Sequence, residues 1–378
     1  MRTRALLLTA TCDEGPFAES RPLTLVEAEL ADPGHGEVLI RILATGLCHS
    51  DLSLVTGVIP RPLPAVVGHE AVGVVEALGA GVADLEVGQR VVTVFMPSCG
   101  TCAPCAEGRR ALCEPGGRAN ANGTLLSGAR RISVDGETVH HHLGISSFAE
   151  HAVVSRCSLV PIDAHELPDA VAALFGCAVL TGVGAVMNTA KVRPGQSVVV
   201  CGLGGVGMSA LLGAKAGGAV TYGVDVSADK LALASALGAD GTFDASDPGV
   251  VDDIRDATRG GADHAFEMAG SVAALDLALR GTRRGGVTTV AGIAGPSARY
   301  ELAISAMVSD ERILQGSYLG SCIPSRDVPR FLELHRLGLL PVDRLLGSTG
   351  PLDSANQALD AMVAGDTGRH VMVPEHPS

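Results

Sequence analysis

Apolar segments alternate with helical stretches along the second half of the chain. Strands are predicted where the apolar residues cluster, at residues 196–201, 220–224, 263–267 and 287–291. Strands separated by helices of this length are typical of βαβ units. This half of the chain is therefore predicted to form a doubly wound parallel sheet, as part of an α/β fold.

The first 160 residues have a different pattern. Short β-rich segments are separated by Gly and Pro, and the clearest of them are residues 71–77 and 90–95. No internal repeat or low-complexity linker is visible. A chain of 378 residues is long enough for two or three domains, so the change of pattern predicts a β-rich domain followed by an α/β domain.

The uncharged stretch at residues 170–190 is long enough to cross a membrane. It is interrupted by Gly176, Gly182 and Gly184, and the uncharged stretch at 197–214 is even richer in glycine. Such segments favour a buried α/β core. The apolar run after the N-terminus is too short for a signal peptide. We therefore expect a soluble, cytoplasmic protein with no membrane partner.

The amino-acid composition excludes further classes of protein. The chain has 28 basic and 41 acidic residues, a formal net charge of −13, and no long basic run, which argues against nucleic acid as a partner. Charged residues make up only 18 % of the chain and hydrophobic residues 47 %, which excludes a disordered protein. The 48 glycines indicate many places where the backbone turns sharply or lies against another group.

Four of the ten cysteines are closely grouped in the sequence. Cys99, Cys102 and Cys105 are separated by two-residue gaps, and Cys113 follows. Four thiolates with this spacing are typical of a closed tetrahedral zinc site, which would clamp a loop rather than perform chemistry. An iron–sulfur cluster is the alternative, but the fourth cysteine is at a different spacing from the bacterial ferredoxin motif and no proline follows it.

A second set of candidate ligands is spread along the chain. Cys48, His69 and Cys177 together form a Cys2His set, which can hold zinc with one position open for water or substrate. Asp51 is placed to accept the free ring N–H of His69, and Glu70 is either a stand-by ligand or a further supporting carboxylate. Taken singly, each residue is more simply a loop histidine or a core cysteine; the joint pattern favours a metal.

A glycine-rich motif follows the first predicted strand of the α/β half. Gly-x-Gly-x-x-Gly occupies residues 202–207, between that strand and a small-residue helix, and includes Gly202, Gly204, Gly205, Val206 and Gly207. Such a turn allows a pyrophosphate to approach backbone N–H groups. Asp225 ends the next strand, where it can bind the ribose hydroxyls, and no arginine follows it. The motif therefore predicts NAD rather than NADP.

In combination, these motifs resemble the zinc-dependent medium-chain alcohol dehydrogenases, nearly from end to end. The resemblance implies a GroES-like β-barrel catalytic domain and a Rossmann domain. It places the catalytic domain at residues 1–178 and 323–378 and the Rossmann domain at 179–322. The return of the chain to its first domain is implied by the resemblance alone.

The resemblance also implies residue roles. It makes Cys48, His69 and Cys177 the ligands of a catalytic zinc and the four grouped cysteines those of a structural zinc, giving two zinc ions per chain. Ser50 matches the position whose hydroxyl contacts the alcohol and begins a proton relay. The cofactor positions include the pyrophosphate-binding residues His49 and Arg369, the ribose-binding pair Asp225 and Lys230, and the nicotinamide neighbours Val206 and Thr181.

The implied reaction is reversible hydride transfer between an alcohol and NAD. Zinc lowers the pKa of the alcohol hydroxyl, and the carbon then gives hydride to the nicotinamide. Many members carry a histidine three residues after the relay serine, whereas this chain has Ser53. Protons are therefore expected to leave through the cofactor ribose and His49, or through water.

Residues matching the family's substrate cleft are mostly apolar and comprise Ile59, Phe95, His142, Leu143, Ile293 and Tyr318. Such a cleft suits a hydrophobic primary alcohol or aldehyde, aromatic or allylic, as the small-molecule partner.

Two alternative functions are retained. The first is a thiol-adduct-dependent formaldehyde dehydrogenase, although Ile59 stands where the glutathione-dependent members have an acid; Arg118 could face another anionic adduct. The second is a non-catalytic nucleotide-binding protein on the same fold. The long segment between Cys113 and Phe148 resembles that of dimeric members and predicts a homodimer.

Overall fold

The computed structural model describes residues 1–163 and 167–376, and the chain divides into two compact units. The first unit contains Met1–Cys177, Ile323–Pro329 and Leu346–Ser378, and the second contains Ala178–Cys322 and Arg330–Leu345. The division differs from the sequence-based domains 1–178, 179–322 and 323–378 in one main respect. Residues of Arg330–Leu345 pack with the second unit, whereas the whole C-terminal segment was expected to return to the first.

The strands are, in chain order, β1 Arg2–Leu8, β2 Leu23–Leu30, β3 Glu37–Gly46, β4 Ala65–Val66, β5 Glu70–Leu78, β6 Arg90–Thr93, β7 Ile132–Val134, β8 Glu137–Thr138, β9 His140–His141, β10 His151–Ser155, β11 Leu159–Pro161, β12 Ser197–Cys201, β13 Val220–Asp225, β14 Gly241–Asp244, β15 Ala262–Glu267, β16 Thr282–Val290, β17 Ile313–Gly316, β18 Leu346–Gly350 and β19 Arg369–Met372.

The α-helices are α1 Phe17–Ser20, α2 His49–Val55, α3 Ala103–Ala106, α4 Glu114–Asn122, α5 Asp169–Ala173, α6 Ala178–Gly184, α7 Gly205–Ala216, α8 Ala228–Ala236, α9 Val250–Ala257, α10 Val272–Gly281, α11 Ile304–Asp310, α12 Pro324–Arg336 and α13 Ala355–Val363. A π-helical turn at Ala185–Ala190 follows α6, and short 3-10 helices include Arg110–Leu112 and Leu174–Gly176.

The first unit contains two largely antiparallel sheets. One has the strand order β8-β7-β2-β1-β4-β9, and the other has the order β11-β6-β5-β3-β19-β18, with β10 also paired to β3. The long strands β3 and β5 pair from Val38 with Leu78 to Gly46 with Glu70. Their inward side chains, including Ile40 and Val75, are buried in an apolar cluster. This pairing places the end of β3 beside the start of β5, where the candidate ligands lie.

The second unit is built on one parallel sheet of six strands. Its order is β14-β13-β12-β15-β16-β17, so that the first strand in sequence, β12, lies in the middle. This is the 3-2-1-4-5-6 order of a dinucleotide-binding fold, in which ligands bind at the carboxyl ends of the central strands. The predicted doubly wound α/β architecture is confirmed, and the strands predicted at 196–201 and 220–224 are β12 and β13.

No single helix among the described residues is long and apolar enough to cross a membrane. Two consecutive helical segments, Asp169–Gly176 and Ala178–Ala190, reach the length and apolar composition of a membrane span only when counted together, and a bend separates them.

Candidate metal centres and dinucleotide site

The first candidate metal centre lies within the first unit, where three separate parts of the chain meet. Cys48 precedes α2, His69 precedes β5, and Cys177 follows the 3-10 turn Leu174–Gly176. The ligand atoms of Cys48, His69, Glu70 and Cys177 all lie within 4.8 Å of one another, and all four residues are buried. The structure therefore brings together the three ligands expected from the sequence, with a carboxylate beside them.

Gly68 fixes the local path of the chain into this cluster. Its φ is +90°, and a Cβ atom there would lie 2.3 Å from the ring of Phe148 and 2.5 Å from the backbone nitrogen of that residue. A side chain at this position would therefore be strained and would also clash. The backbone passes close to Phe148 here, and the next residue, His69, enters the cluster.

The two thiols of the cluster are in contact, and this contact shifts their pKa values in opposite directions. The pKa of Cys48 lies well below its usual value because the thiol of Cys177 donates to it and because Arg369 and His69 are close. The pKa of Cys177 is raised well above its usual value by the same contact and by burial. A buried thiolate beside cationic groups is a soft anionic ligand, which is what zinc prefers.

Glu70 and Arg369 form a buried pair that the sequence did not reveal. The Nη2 atom of Arg369 donates to Oε2 of Glu70 across 299 residues of chain. The other carboxylate oxygen, Oε1, is buried without a hydrogen-bond partner among the described residues. Burial raises the pKa of Glu70 to about 7, although Arg369 opposes the shift. An unsatisfied carboxylate oxygen within reach of the ligand atoms fits a site that accepts a cation. Arg369 thus contacts a carboxylate in this structure, and its expected contact with a pyrophosphate stays a prediction.

Asp51 supports two of the candidate ligands at once. Its Oδ1 lies 3.0 Å from Nδ1 of His69, and its Oδ2 accepts the backbone N–H of Cys48 at 2.9 Å. The second contact also caps the N-terminus of α2. The imidazole and carboxylate are both fully buried, and Asp51 keeps a lowered pKa despite its burial because His69 and His142 face it. The predicted Asp51–His69 contact is present in the structure.

Other predicted residues of the first unit differ in their burial, and two of them contact ligand residues of this cluster. Ser50 lies near the ligands, with its Oγ 3.9 Å from Sγ of Cys48. The ring of Phe95 meets His69 edge-on, with ring centres 5.7 Å apart. Leu143 is buried with a φ of +51°, and Ile59 is half-buried. His49 is exposed at the first position of α2, and Ser53 donates its hydroxyl to the His49 carbonyl.

The second candidate centre is the four-cysteine group. The sulfur atoms of Cys99, Cys102, Cys105 and Cys113 lie within 4.8 Å of one another. Backbone N–H groups donate to two of them, from Cys102 to the Cys99 sulfur and from Gly116 to the Cys113 sulfur. The first of these contacts lowers the pKa of Cys99 to about 6. Four converging sulfur atoms in this short segment fit a closed tetrahedral metal site.

Cys105→Ser should remove this metal without removing the other, since the two groups share no residue. We expect the zinc content to fall by one ion per chain and Tm to fall by roughly 5–10 °C, because a structural metal contributes directly to folding. Metal analysis and thermal unfolding measure both effects. Cys157→Ser, which changes a thiol outside the group, is the control; an equal loss of Tm in both variants would contradict the assignment.

The second unit contains the glycine-rich turn between β12 and α7. Gly202 has a φ of +95°, and a Cβ at Gly207 would lie 1.8 Å from the Gly202 carbonyl oxygen. A Cβ at Gly204 would meet no protein atom within 4 Å. Gly202 and Gly207 are therefore required by the turn itself, whereas the space at Gly204 fits the close approach of a phosphate to the start of a helix.

Asp225 is held against this turn by backbone contacts. Its Oδ2 accepts the N–H of Leu203 at 2.7 Å, and its Oδ1 accepts the N–H of Ser227 at 3.0 Å. The carboxylate is thus fixed at the carboxyl end of β13, next to the first glycine of the motif. The other predicted residues of this unit are Gly205, Val206, Lys230 and Tyr318, which are half-buried, Thr181, which is buried, and Ile293, which is exposed.

Two family models match the chain, one in each half. The family model "Alcohol dehydrogenase GroES-like domain" matches residues 34–164, and "Zinc-binding dehydrogenase" matches residues 205–336. A class-3 alcohol dehydrogenase of Drosophila melanogaster is 36 % identical over 370 residues, covering 96 % of this chain and 97 % of that protein. The chain belongs to the zinc-dependent medium-chain alcohol dehydrogenases.

Solved structures of this alcohol dehydrogenase family have the same fold. An alcohol dehydrogenase zinc-binding domain protein from Burkholderia ambifaria superimposes with a TM-score of 0.93 and 34 % identity, with both chains covered completely. Benzyl alcohol dehydrogenase from Acinetobacter calcoaceticus superimposes with a TM-score of 0.92 and 30 % identity, covering 99 % of this chain and 100 % of that one. These matches confirm the GroES-like and Rossmann architecture. A solved NAD-dependent alcohol dehydrogenase superimposes with a TM-score of 0.78 and 30 % identity, covering 98 % of this chain and 99 % of that one. Together with the zinc-binding dehydrogenase family model, this similarity supports zinc and a nicotinamide dinucleotide as cofactors.

Proposed function

We propose that this alcohol dehydrogenase is NAD-linked and interconverts hydrophobic primary alcohols, aromatic or allylic, with their aldehydes. The observation that carries the proposal is the buried convergence of Cys48, His69 and Cys177. The Phe95 ring, edge-on to His69, puts an apolar wall beside that cluster. The similarity to benzyl alcohol dehydrogenase from Acinetobacter calcoaceticus supports an aromatic substrate.

Each residue of the cluster has a separate task in the proposed reaction. Cys48, His69 and Cys177 would hold zinc, which supplies a Lewis acid that lowers the pKa of an alcohol hydroxyl. Asp51 fixes the ring orientation and tautomer of His69 through the 3.0 Å contact. Ser50, with its hydroxyl 3.9 Å from the Cys48 sulfur, would accept the substrate proton while giving up its own. The released proton would reach solvent through the cofactor ribose and the exposed His49, or through water.

The glycine-rich turn and Asp225 would hold the dinucleotide. A carboxylate fixed at the end of β13 accepts hydrogen bonds from ribose hydroxyls and repels a 2′-phosphate, which favours NAD over NADP. The four-cysteine group would hold a second, structural zinc, so that each chain binds two ions.

A substrate panel with metal analysis tests the proposal. Benzylic, allylic and aliphatic primary alcohols are compared with NAD and with NADP, and zinc is measured on the same sample. We expect two zinc ions per chain and the highest kcat/KM for a benzylic or allylic alcohol with NAD. Activity with formaldehyde only when a thiol is added would favour the thiol-adduct reaction instead. Dinucleotide binding without turnover of any alcohol or aldehyde would favour a non-catalytic protein.

We also propose that the protein is a homodimer formed through the edge of the parallel sheet. Strand β17 is the last strand of that sheet, so one of its sides has no paired strand among the residues that the structure describes. Large apolar side chains are exposed on and near it, with Ile304 79 % exposed, Val308 74 % and Ile313 51 %. An apolar patch on an open strand edge suits pairing with a second copy of the same strand.

Val308→Asp should therefore weaken the dimer, because the interface would bury an unpaired carboxylate. We expect the mass measured by light scattering after size-exclusion chromatography to shift towards that of one chain at micromolar concentration. Val87→Asp is the matched control, since Val87 is 66 % exposed in the other unit. A monomeric wild-type protein, or an unchanged mass for Val308→Asp, would contradict the proposed interface.

A further inference from the structure

Asp51 faces a second histidine in addition to His69. Nδ1 of His142 lies 3.3 Å from the same carboxylate oxygen, Oδ1, that accepts from His69 at 3.0 Å. The side chains of all three residues are at least 97 % buried. One oxygen atom in a nearly water-free environment is therefore approached by the ring nitrogens of two imidazoles.

His142 is held by contacts of both its backbone and its ring. Its backbone N–H donates to Oγ of Ser146 at 3.1 Å, and its ring packs edge-on against His69 with ring centres 5.5 Å apart. Nδ1 makes no hydrogen bond of regular geometry among the described residues, so the contact with Asp51 is its nearest polar compensation. A buried polar atom in such a position needs that contact, because leaving it unsatisfied is costly.

The sharing of one oxygen has an electrostatic consequence for His69. A carboxylate that accepts the ring N–H of a metal-bound histidine makes that histidine a stronger donor to the metal. A second imidazole nitrogen, 3.3 Å from the same oxygen, compensates part of its negative charge electrostatically, without a hydrogen bond of regular geometry. His69 would then be a weaker donor, and a metal held by it would remain a stronger Lewis acid.

We propose that His142 is a positioning residue that shares Asp51 with His69 and so limits how strongly His69 binds the metal. The proposal rests on the proposed catalytic zinc site. It adds a role for His142 beyond the substrate-cleft position expected from the sequence.

The test measures the rate at which zinc is lost to an excess of chelator. The kinetic phase that belongs to this site is identified as the one that Cys48→Ser abolishes. His142→Phe keeps an aromatic ring against His69 and removes the N–H, so we expect zinc loss from this phase to slow about 3- to 10-fold, with a fall in kcat. His142→Asn keeps an N–H near the position of Nδ1 and should restore a rate close to that of the wild type.

A role in packing alone predicts a different order. His142→Phe would then behave as the wild type, and His142→Asn, which lacks the ring, would lose zinc faster; either result overturns the proposal. His142→Leu provides a second donor-free variant if His142→Phe does not fold, and it too should slow zinc loss. If Cys48→Ser leaves the zinc content unchanged, the proposed zinc site itself fails. If that site holds zinc and the His142 variants release it at the wild-type rate, only the role of His142 fails.

Discussion

Cys48→Ser is expected to lower kcat/KM for alcohol oxidation by at least about 10³-fold, equivalent to roughly 4 kcal/mol of transition-state stabilisation. Cys48 belongs to the buried group of four ligand atoms that lie within 4.8 Å of one another. Asp51 holds the backbone N–H of residue 48, and a serine hydroxyl can replace the sulfur as the acceptor of the Asp51 N–H. The change therefore removes the sulfur ligand while α2 keeps its cap. Steady-state kinetics and zinc analysis measure the loss together, and one zinc ion per chain should disappear with the activity.

Cys12→Ser is the matched control for this variant, since Cys12 lies outside both candidate metal groups. It should retain the zinc content and the kcat/KM of the wild type. Nearly full activity in Cys48→Ser, or in zinc-free wild-type protein, would exclude a metal-assisted reaction at this cluster.

Asp225→Arg is expected to reverse the cofactor preference. The ratio of kcat/KM with NAD to that with NADP should fall by about 10³-fold, because hydrogen bonds to a charged acceptor are lost and a guanidinium–phosphate contact becomes available. The carboxylate also holds the N–H groups of Leu203 and Ser227, so binding of NAD should weaken in absolute terms. Kinetics with both cofactors and calorimetric titration with ADP-ribose measure the two effects.

Two further variants separate the parts of this prediction. Asp225→Asn keeps an oxygen for Leu203 and removes the charge, so it should relax the preference without reversing it. Asp252→Arg makes the same change of charge at an exposed position of α9 and should leave the ratio unaltered. If Asp225→Arg keeps the wild-type preference, the ribose-binding role of Asp225 is wrong.

The features predicted most fully from the sequence are those in which neighbouring residues act together. The turn from Gly202 to Gly207 has its strand, its helix and its acidic residue within one short stretch, and the structure has all of them in the expected order. The four-cysteine group is similar, because two-residue gaps bring successive sulfur atoms close to one another independently of the tertiary structure.

The features that the sequence did not reveal depend on distant parts of the chain. Nothing near Arg369 indicates that its guanidinium contacts Glu70, since that contact requires β19 to pair with β3. His142 was expected to face substrate, and its place beside Asp51 follows from the loop between β9 and β10. The segment Arg330–Leu345 was assigned to the first domain and packs instead with the second unit.

The sequence by itself determined the fold class, the glycine-rich turn and the candidate ligands, because hydrophobic period, turn chemistry and thiol spacing are local properties. Only the tertiary structure decided which charges and ring nitrogens face one another in the buried cluster. Burial makes those contacts strong, since a charge removed from water must find its partner inside the protein. Which partner it finds is determined by the pairing of strands that are far apart in the chain.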